Sequence, residues 1–521
     1  SRAVPEAFTG LQYQKAAYGQ QAMVSAANPH AVEAGVQMLE QGGNAIDAAV
    51  AIQLVLTLVE PQSSGIGGGA FLLWFDGKSQ QVTSFDGRET APLNATPDLF
   101  LDDKGNAIRW IEAVIGGRSV GVPGVLKMLS RVHAEKGKLD WQTLFQPAIS
   151  LAKNGFIVSP RLAKLVEMKM NPGLETLSPA KEYFYPNGEP LKAGTLLKNP
   201  AYAQALEQIA AKGVEVFYQG QLAKNIVHAV QSSEVAPGLL SLEDMKSYKS
   251  KQREAVCVDY QGDAGDFEVC SMGPPSSGGL TVLQILKLLE PYTLTQYNID
   301  SVETIHLYTQ AARLAFADRN LYMADSDFVY VPVDGLLDST YLSKRRALID
   351  PKQDMGYAQP GVLGMSQTAA NVSIEQPNTS HISIVDKEGN AISMTTSIEM
   401  GFGSTVMVDG YLLNNQLTDF SLSPKRDGKW VSNRVEGGKR PRSSMTPVIV
   451  KKDGKLYAVI GSPGGSRIIN YVGYALIGLL DYGLDMKTVV DMPRISNRNG
   501  ATALEATDLN KLVAKALEAR G

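Results

Sequence analysis

Two arms of alternating apolar and polar residues, joined by a short turn, give the strongest structural signal in this chain. The first arm covers residues 378–386, the turn covers 387–390 and the second arm covers 391–397. Alternation with a period of two about a Gly-Asn turn predicts a β-hairpin. Pairing of the arms brings the hydroxyl of Ser397, at the end of the second arm, near that of Thr379, at the start of the first.

Length and composition predict a globular protein and exclude several classes of partner. Of the 521 residues, 44% are hydrophobic and 20% are charged, and the formal net charge is −4. No run of Lys and Arg is long enough to follow a phosphate backbone, so we predict no nucleic-acid partner. The longest apolar stretch, residues 48–59, falls short of the roughly 20 residues that a membrane span needs. We therefore predict a buried helix there and no membrane span.

A glycine-rich stretch at residues 63–70 contains the pattern Gly-x-Gly-x-x-Ala. A dinucleotide site needs a strand before this pattern and a helix after it. Here a predicted helix, 45–59, precedes it and a predicted strand, 71–75, follows it, the strand being the first arm of a second hairpin with 81–85. We therefore interpret the glycines as positions where two backbones approach closely.

Metal and cofactor sites have no evident ligand set in the sequence. The five His residues form no His-x-x-x-His pattern, and neither a Gly-x-Ser-x-Gly elbow nor a Walker loop is present. We predict no metal and no cofactor. His381, two residues after Thr379 and on the same strand face, is interpreted as a packing or hydrogen-bonding residue rather than a base.

The two cysteines, Cys257 and Cys270, flank a predicted hairpin that turns near residues 262–265. Paired strands of this kind bring two cysteines within disulfide reach. Two separate buried thiols are an equally open interpretation. The sequence pattern alone leaves both standing.

Four motifs, in order along the chain, resemble the γ-glutamyltranspeptidase family of N-terminal-nucleophile hydrolases. They are Thr379-Ser380-His381, Leu-Leu-Asn-Asn-Gln-Leu-Thr-Asp-Phe-Ser at 412–421, Lys-Arg-Pro-Arg-Ser-Ser-Met-Thr-Pro at 439–447, and Gly-Ser-Pro-Gly-Gly-Ser-Arg at 461–467. The resemblance implies an α/β fold, a four-layer αββα sandwich. It also implies one precursor cut between Asn378 and Thr379, whose fragments 1–378 and 379–521 remain together as one unit.

The resemblance gives the Thr379 hydroxyl the role of nucleophile. A threonine hydroxyl is weak unless a base stands beside it, and a free N-terminal amine, with an ordinary pKa of about 7.7–8, is such a base. Cleavage before Thr379 would create that amine. Ser397 is then the hydroxyl partner of the nucleophile, and the backbone N–H groups of Gly464 and Gly465 form the oxyanion hole.

Substrate contacts follow from the same matching. Arg88, in an Arg-Glu-x-Ala-Pro context, and the hydroxyls of Ser443 and Ser444 are expected to bind the α-carboxylate of a γ-glutamyl group. Asp419 and Gln416 are expected to bind its ammonium. Charge-assisted hydrogen bonds of this kind would select an amino-acid head group.

Two departures from the family pattern bear on specificity. Where transpeptidases usually have Thr-x-Asn after the hairpin, this chain has Ser397-Ile398-Glu399, which is similar to an acylase-like branch and places Glu399 at the expected ammonium site. Residues 422–438, which replace the family's lid, lack its Tyr-containing pattern. We expect a γ-glutamyl hydrolase acting on amides such as glutathione, with water preferred over an amino-acid or peptide acceptor. A glutaryl or cephalosporin acylase is the alternative, and a non-catalytic binding relative is an alternative of another class.

The expected location is periplasmic or secreted. The first residues have no apolar leader core, and numbering that starts at Ser1 is consistent with a removed signal peptide. An oxidising compartment favours a bridge between the two cysteines. Residues 351–376, polar and rich in Gly, Gln, Ser and Asn, are predicted to form a long surface segment leading to Asn378.

Overall fold

Two antiparallel sheets face each other at the centre of the molecule. The structure is a computed structural model that describes residues 19, 21–364, 368–371, 373–375 and 378–521. The strands of the two sheets are β1 (Met23–Ser25), β2 (Gly69–Phe75), β3 (Val82–Gly87), β4 (Lys251–Glu254), β5 (Val256–Gly262), β6 (Gly265–Ser271), β7 (Thr379–Val385), β8 (Ala391–Ser397), β9 (Val448–Lys452) and β10 (Lys455–Ile460). The six-stranded sheet has the order β1-β7-β8-β2-β3-β4, and the four-stranded sheet has the order β10-β9-β6-β5.

Helices cover the outer face of each sheet. They are α1 (Pro29–Glu40), α2 (Ala45–Val59), α3 (Trp110–Val114), α4 (Val125–Lys136), α5 (Trp141–Asn154), α6 (Pro160–Glu167), α7 (Ala180–Phe184), α8 (Pro200–Lys212), α9 (Glu215–Tyr218), α10 (Gln221–Gln231), α11 (Leu242–Ser247), α12 (Gly278–Leu289), α13 (Val302–Tyr322), α14 (Val333–Leu336), α15 (Ser339–Arg346), α16 (Ile468–Leu480), α17 (Met486–Asp491) and α18 (Asp508–Glu518). Short strand pairs lie outside the sheets: Phe156–Ile157 with Leu196–Leu197, Met407–Val408 with Tyr411–Leu412, Lys425–Arg426 with Lys429–Trp430, and Ile495–Ser496 with Ala503–Leu504.

Three hydrophobic layers hold this arrangement together. One core lies between the six-stranded sheet and helices that include α1, α2 and α5, and a second lies between the four-stranded sheet and α12, α13 and α16. Leu73 and Phe75 of one sheet pack with Ile449 of the other in a smaller cluster between the sheets. The layers are therefore helix, sheet, sheet and helix, so the predicted αββα sandwich is confirmed.

The helix α2 is buried along its whole length, as its apolar sequence predicts. All 15 of its residues are buried, and its start is fixed by a capping box in which Asn44 accepts from the Asp47 backbone and Asp47 accepts from the Asn44 backbone. In the part of the chain that the structure describes, no helix is long and apolar enough to cross a membrane.

The central hairpin forms as the alternation predicts. The strands β7 and β8 pair in a continuous antiparallel register from Val385 opposite Ala391 to Thr379 opposite Ser397. Both β7 and β8 lie inside the six-stranded sheet, where β1 and β2 flank them. Thr379 and Ser397 consequently lie directly opposite each other on neighbouring strands of the buried hairpin.

The glycine run after α2 packs against this rung. A Cβ built on Gly67 would lie 2.1 Å from Leu412 O, and one built on Gly68 would lie 2.2 Å from Ser397 O. Real side chains do not approach backbone atoms this closely. The interpretation of these glycines as positions of close backbone approach is confirmed.

We expect Gly68→Ala to destabilise the protein by about 1–3 kcal/mol, because the added methyl must displace the strand that carries Ser397. Thermal unfolding of the purified variant measures this. Gly500→Ala is the matched control, since a Cβ there meets no atom within 4 Å. Equal melting temperatures for the two variants would contradict the packing argument.

The two cysteines are joined by a disulfide across β5 and β6. Cys257 lies directly opposite Cys270 in the register, with their Cα atoms 4.1 Å apart. Within the described residues, one group of potential metal ligands lies close together, formed by Cys257, Glu268 and Cys270. Both sulfur atoms of this group belong to the disulfide.

Candidate active site

The candidate nucleophile lies at the first residue of β7, next to the bond predicted to be cut. The Thr379 side chain is buried, and the Ser397 hydroxyl donates to the backbone oxygen of Asn378 at 3.2 Å. That oxygen belongs to the carbonyl of the Asn378–Thr379 peptide bond. Ser397 was expected to partner the nucleophile itself. In this structure it lies directly opposite Thr379 in the sheet, and its hydroxyl is bonded to the carbonyl that the nucleophile would attack.

The glycine loop after β10 contacts the nucleophile from another side. The backbone N–H of Gly464 donates to Thr379 Oγ1 at 2.9 Å, and Thr379 Oγ1 is 3.5 Å from Gly464 O. Gly464 has a φ of 129°, a left-handed conformation that favours glycine. An oxyanion donor must face the oxyanion rather than the nucleophile. In this structure the N–H of Gly464 is bonded to the hydroxyl oxygen of Thr379.

His381 is a hydrogen-bonding residue of the sheet. Its Nδ1 is 3.0 Å from Thr395 Oγ1, its Nε2 is 2.9 Å from Ser383 Oγ, and burial lowers its pKa to about 3. A Cβ on Gly461 would lie within 2.6 Å of three atoms of the imidazole. The ring is thus neutral and bonded to a hydroxyl at each nitrogen, which agrees with assigning it no proton transfer.

A cavity of about 630 Å³ borders the nucleophile. Its lining includes Thr379 together with His381, Tyr471 and Arg494. Cavities of this size accommodate small-molecule groups. Thr379, although buried, therefore lies at the edge of this cavity.

Arg88 organises the predicted head-group site. It follows β3, and its side chain is 1% exposed. Its Nη1 donates to Gln416 Oε1 at 2.9 Å, and its Nη2 donates to Asp419 Oδ2 at 2.6 Å. Its remaining bonds run to two backbone oxygens, of Pro441 at 3.1 Å and of Arg442 at 2.8 Å.

The two predicted halves of the head-group site are therefore joined to each other in this structure. Arg88 was assigned to the carboxylate, and Asp419 and Gln416 to the ammonium, but here the guanidinium binds both. A short 3₁₀ helix, Gln416–Asp419, presents the two acceptors together. Gln416 Nε2 is buried without a hydrogen-bond partner in the described structure. This atom remains a polar group toward which a ligand could bind.

Burial dominates the electrostatics of this cluster. It raises the pKa of Asp419, and Arg88 partly offsets that rise. Burial also raises the pKa of Glu89 to about 8, so this carboxyl is mostly neutral at pH 7. Glu399 is close enough to lower the pKa of Asp419 through a side-chain hydrogen bond. The carboxyl of Glu399 thus lies at the expected ammonium site.

Ser443 and Ser444 occupy a buried loop that packs against the start of α12. Ser443 Oγ accepts from the Met445 backbone at 3.1 Å, and Ser443 O accepts from the Ser277 backbone at 2.6 Å. Ser444 Oγ accepts from Arg319 Nη2 at 2.9 Å. Sequence reasoning missed Arg319, because an arginine within a long helix gives no motif signal.

The segment before the cleavage site is partly buried, so its prediction as a surface segment is wrong at Glu375. Arg319 Nη2 lies 2.8 Å from Glu375 Oε1, and both side chains are 3% exposed. Two buried arginines lie near this segment, Arg319 and Arg442. They provide its polar groups with the charge and hydrogen bonds that water provides at a surface. Residues 365–367, 372 and 376 of the predicted segment lie outside the described residues.

Residues 422–438, which the sequence predicts to replace the family's lid, include a small surface hairpin of Lys425–Arg426 with Lys429–Trp430. Trp430 is 42% exposed and lies between two cations, with Lys425 Nζ 4.5 Å and the Arg434 guanidinium carbon 5.2 Å from its ring centroid. Asn433 ties the same region to the site, because its amide donates to Asp419 O at 2.7 Å. The aromatic ring of Trp430 therefore lies at the outer surface.

Two facing antiparallel sheets between helices, with a threonine beginning an inner strand, define the class of N-terminal-nucleophile hydrolases. A family model described as Gamma-glutamyltranspeptidase matches residues 31–521. The chain belongs to the γ-glutamyltranspeptidase family, as the four motifs predict.

Individual relatives come from both branches of enzymes that the sequence suggested. A glutathione hydrolase proenzyme of Bacillus subtilis (strain 168) is 40% identical over 494 residues, which cover 93% of this chain and 82% of the relative. The acylase ACY 1 proenzyme of Pseudomonas sp. (strain V22) is 34% identical over 521 residues, covering 97% and 88%. The crystal structure of a cephalosporin acylase from Bacillus halodurans has a TM-score of 0.85 and 28% identity, covering 99% of this chain and 91% of that one.

Proposed function

We propose that this protein is an autoprocessing γ-glutamyl hydrolase and transpeptidase that cleaves γ-glutamyl amides such as glutathione through a γ-glutamyl-threonine ester. The observation that carries the proposal is the geometry at Thr379. Its hydroxyl oxygen accepts from the Gly464 N–H, and the carbonyl of the bond to be cut accepts from the Ser397 hydroxyl. Family membership and glutathione hydrolase relatives support the same reaction.

Processing is the first step of the proposed mechanism. Thr379 Oγ1 attacks the carbonyl carbon of Asn378, forming a C–O bond while the C–N bond breaks. The hydroxyl proton passes to the departing nitrogen, which becomes the amine of Thr379. Water then hydrolyses the ester and leaves a carboxylate on Asn378. The products are fragments 1–378 and 379–521, which remain associated because they share the six-stranded sheet.

Turnover repeats this chemistry on an external amide. The free amine of Thr379 takes the proton of Oγ1 as that oxygen attacks the γ-carbonyl carbon. The leaving amine receives the proton, and the acyl group remains as an ester on Thr379. Water completes hydrolysis and releases glutamate, whereas an amino acid or peptide in its place gives transfer. Since the amine must be neutral, the rate rises with pH through its pKa.

The reduced lid favours water over other acceptors. Efficient transfer requires that water be kept from the ester long enough for an amine to attack. Here Trp430, the aromatic residue of the lid region, is held at the surface by Lys425 and Arg434. We propose hydrolysis as the main reaction, in a periplasmic or secreted location consistent with the Cys257–Cys270 bridge.

Two measurements test the proposal. Denaturing electrophoresis with N-terminal sequencing of the purified protein is expected to give a fragment beginning Thr-Ser-His. The same preparation is expected to hydrolyse a chromogenic γ-glutamyl anilide, with little stimulation by glycylglycine. An active chain that stays uncut would overturn the mechanism, and strong acceptor stimulation would overturn the argument from the lid.

A glutaryl or cephalosporin acylase is the second candidate, because Glu399 stands beside Asp419 and an acylase is 34% identical over 97% of the chain. The γ-glutamyl reaction remains preferred on electrostatic grounds. A glutaryl group has no ammonium that could compensate the carboxylates of Asp419 and Glu399. Binding it at this buried site would therefore leave these carboxylates without an added positive charge.

A further inference from the structure

A single buried amide joins two segments of the head-group site. Asn433 lies within residues 422–438, and 1% of it is exposed. Its Nδ2 donates to Asp419 O at 2.7 Å, and its Oδ1 accepts from the Arg442 backbone N–H at 3.0 Å. An amide carries a donor and an acceptor on one planar group, so these two bonds fix the spacing between their partners. Asn433 therefore holds the 3₁₀ helix that contains Asp419 next to the loop 439–447.

A buried lysine fixes the backbone on both sides of this amide. Lys439 is buried, and its Nζ donates to Ser432 O at 2.6 Å and to Arg434 O at 2.8 Å. The backbone oxygen of Asn433 itself accepts from the Ser421 N–H at 2.9 Å. Buried polar groups that are satisfied in this way form rigid networks. The Asn433 side chain consequently has a fixed position.

Arg88 joins the same two segments by a charged link. Its Nη2 donates to Asp419 Oδ2 at 2.6 Å and to Arg442 O at 2.8 Å. In the proposed reaction the substrate carboxylate binds Arg88 and the substrate ammonium binds Asp419, so this link changes when the substrate enters. The link through Asn433 uses backbone atoms of both segments and no atom that is assigned to the substrate. It therefore persists while the substrate is bound.

Asp419 is also connected to the candidate nucleophile. Its carboxyl forms a hydrogen bond with the side chain of Glu399, whose backbone N–H donates to Ser397 Oγ at 2.8 Å. Ser397 lies directly opposite Thr379 in the sheet. A shift of Asp419 would therefore change the position of the head group relative to the hydroxyl of Thr379.

We propose that Asn433 is a positioning residue that sets the selectivity for the substrate ammonium, because it holds Asp419 at a fixed distance from the loop 439–447 while the substrate occupies Arg88. This inference rests on the proposed γ-glutamyl activity and deepens it by naming a residue that controls recognition of the head group without touching the substrate. A binding group keeps its geometry only when the residues behind it are themselves locked in place. Loss of the amide therefore weakens binding more than it weakens the chemical step.

The kcat/KM for a γ-glutamyl anilide, divided by the kcat/KM for the matched glutaryl anilide, tests this role. The two acyl groups differ only in the ammonium. Asn433→Ala is expected to lower this ratio at least about 10-fold, mainly through a higher KM for the γ-glutamyl anilide, because the contacts of Thr379 are unchanged. An unchanged ratio would overturn the role of Asn433.

Asn44→Ala is the matched control. Asn44 is also a buried amide that donates to one backbone oxygen, of Lys136 at 2.6 Å, and accepts from one backbone N–H, of Ile46 at 3.0 Å. The next residue, Ala45, bonds to Asp386, which follows β7 at the opposite end of that strand from the nucleophile. The control is expected to keep the wild-type ratio, and an equal fall in both variants would overturn the specific role of Asn433.

A double substitution shows whether Asn433 acts through Asp419. In the Asp419→Asn protein, adding Asn433→Ala is expected to change the ratio by less than about 2-fold, because the carboxylate that Asn433 positions is already gone. A full additional 10-fold fall in that background, on the order of the single effect, would show that Asn433 acts independently of Asp419 and would overturn the proposal.

If Asn433→Ala fails to fold or to process, Asn433→Asp decides the question. The introduced carboxyl keeps the size of the amide and the acceptor for the Arg442 N–H, but it donates to Asp419 O only while it is protonated. The ratio for this variant, relative to wild type at the same pH, is expected to fall as the pH rises from about 6 to about 9. A wild-type ratio throughout that range would overturn the proposal.

The outcomes separate this inference from the proposed function. A wild-type enzyme that cleaves neither anilide, or that prefers the glutaryl anilide, overturns the proposed function itself. A wild-type enzyme that prefers the γ-glutamyl anilide, together with an Asn433→Ala variant that prefers it equally, overturns the positioning role alone.

Discussion

Replacing Thr379 by Ala is expected to abolish both processing and turnover. Without Oγ1 nothing attacks the Asn378 carbonyl, and without cleavage no N-terminal amine arises to serve as base. Removing a nucleophile from an acyl-transfer enzyme typically costs several powers of ten in rate, so we expect kcat on a γ-glutamyl anilide to fall at least about 10⁴-fold. Electrophoresis measures the first effect, and the anilide assay measures the second.

The neighbouring hydroxyl provides the control for this experiment. Ser380 is the next residue of β7, and successive side chains of a strand point to opposite faces. Ser380→Ala is therefore expected to process and to turn over at near the wild-type rate. Continued cleavage of Thr379→Ala before residue 379, or loss of cleavage in Ser380→Ala, would place the nucleophile elsewhere.

The layers of this fold were predictable because their signals are local or come from family motifs. The alternation of residues 379–397 determines both the hairpin and the face of each side chain, and the register found in the structure follows from the turn. The apolar composition of α2 likewise predicts a helix buried on every side. Such patterns involve residues only a few positions apart in the chain. They can therefore be recognised in a single sequence.

Pairings between distant residues were not predictable in the same way. Arg88 and Asp419 are separated by 331 positions, and their direct bond appears only once both are placed in the fold. Glu375 looked like part of a polar surface segment because its compensating charge, Arg319, lies on a helix 56 positions earlier. A buried polar residue resembles an exposed one in sequence whenever its partner is remote.

Asp419→Asn is expected to invert the preference between γ-glutamyl and glutaryl substrates. The two acyl groups differ only in the ammonium, which we assign to Asp419. Losing a charge-assisted contact in a buried site is expected to lower kcat/KM for the γ-glutamyl anilide about 100-fold, while removal of one negative charge improves acceptance of the glutaryl anilide. The ratio of the two kcat/KM values, measured on one preparation, reports the change directly.

The same substitution tests stability, because Asp419 compensates a fully buried arginine. Breaking such a pair typically costs about 3–5 kcal/mol, so a lowered melting temperature is expected, and kinetics must be measured well below it. Asp481→Asn removes another buried carboxylate, one that accepts from Tyr260 and lies in the second core, and it is expected to leave the substrate ratio unchanged. A ratio that moves equally in both variants would mean that general loosening, not recognition of the ammonium, sets the preference. A wild-type enzyme that already prefers the glutaryl anilide would contradict the assignment of Asp419 and favour the acylase reaction.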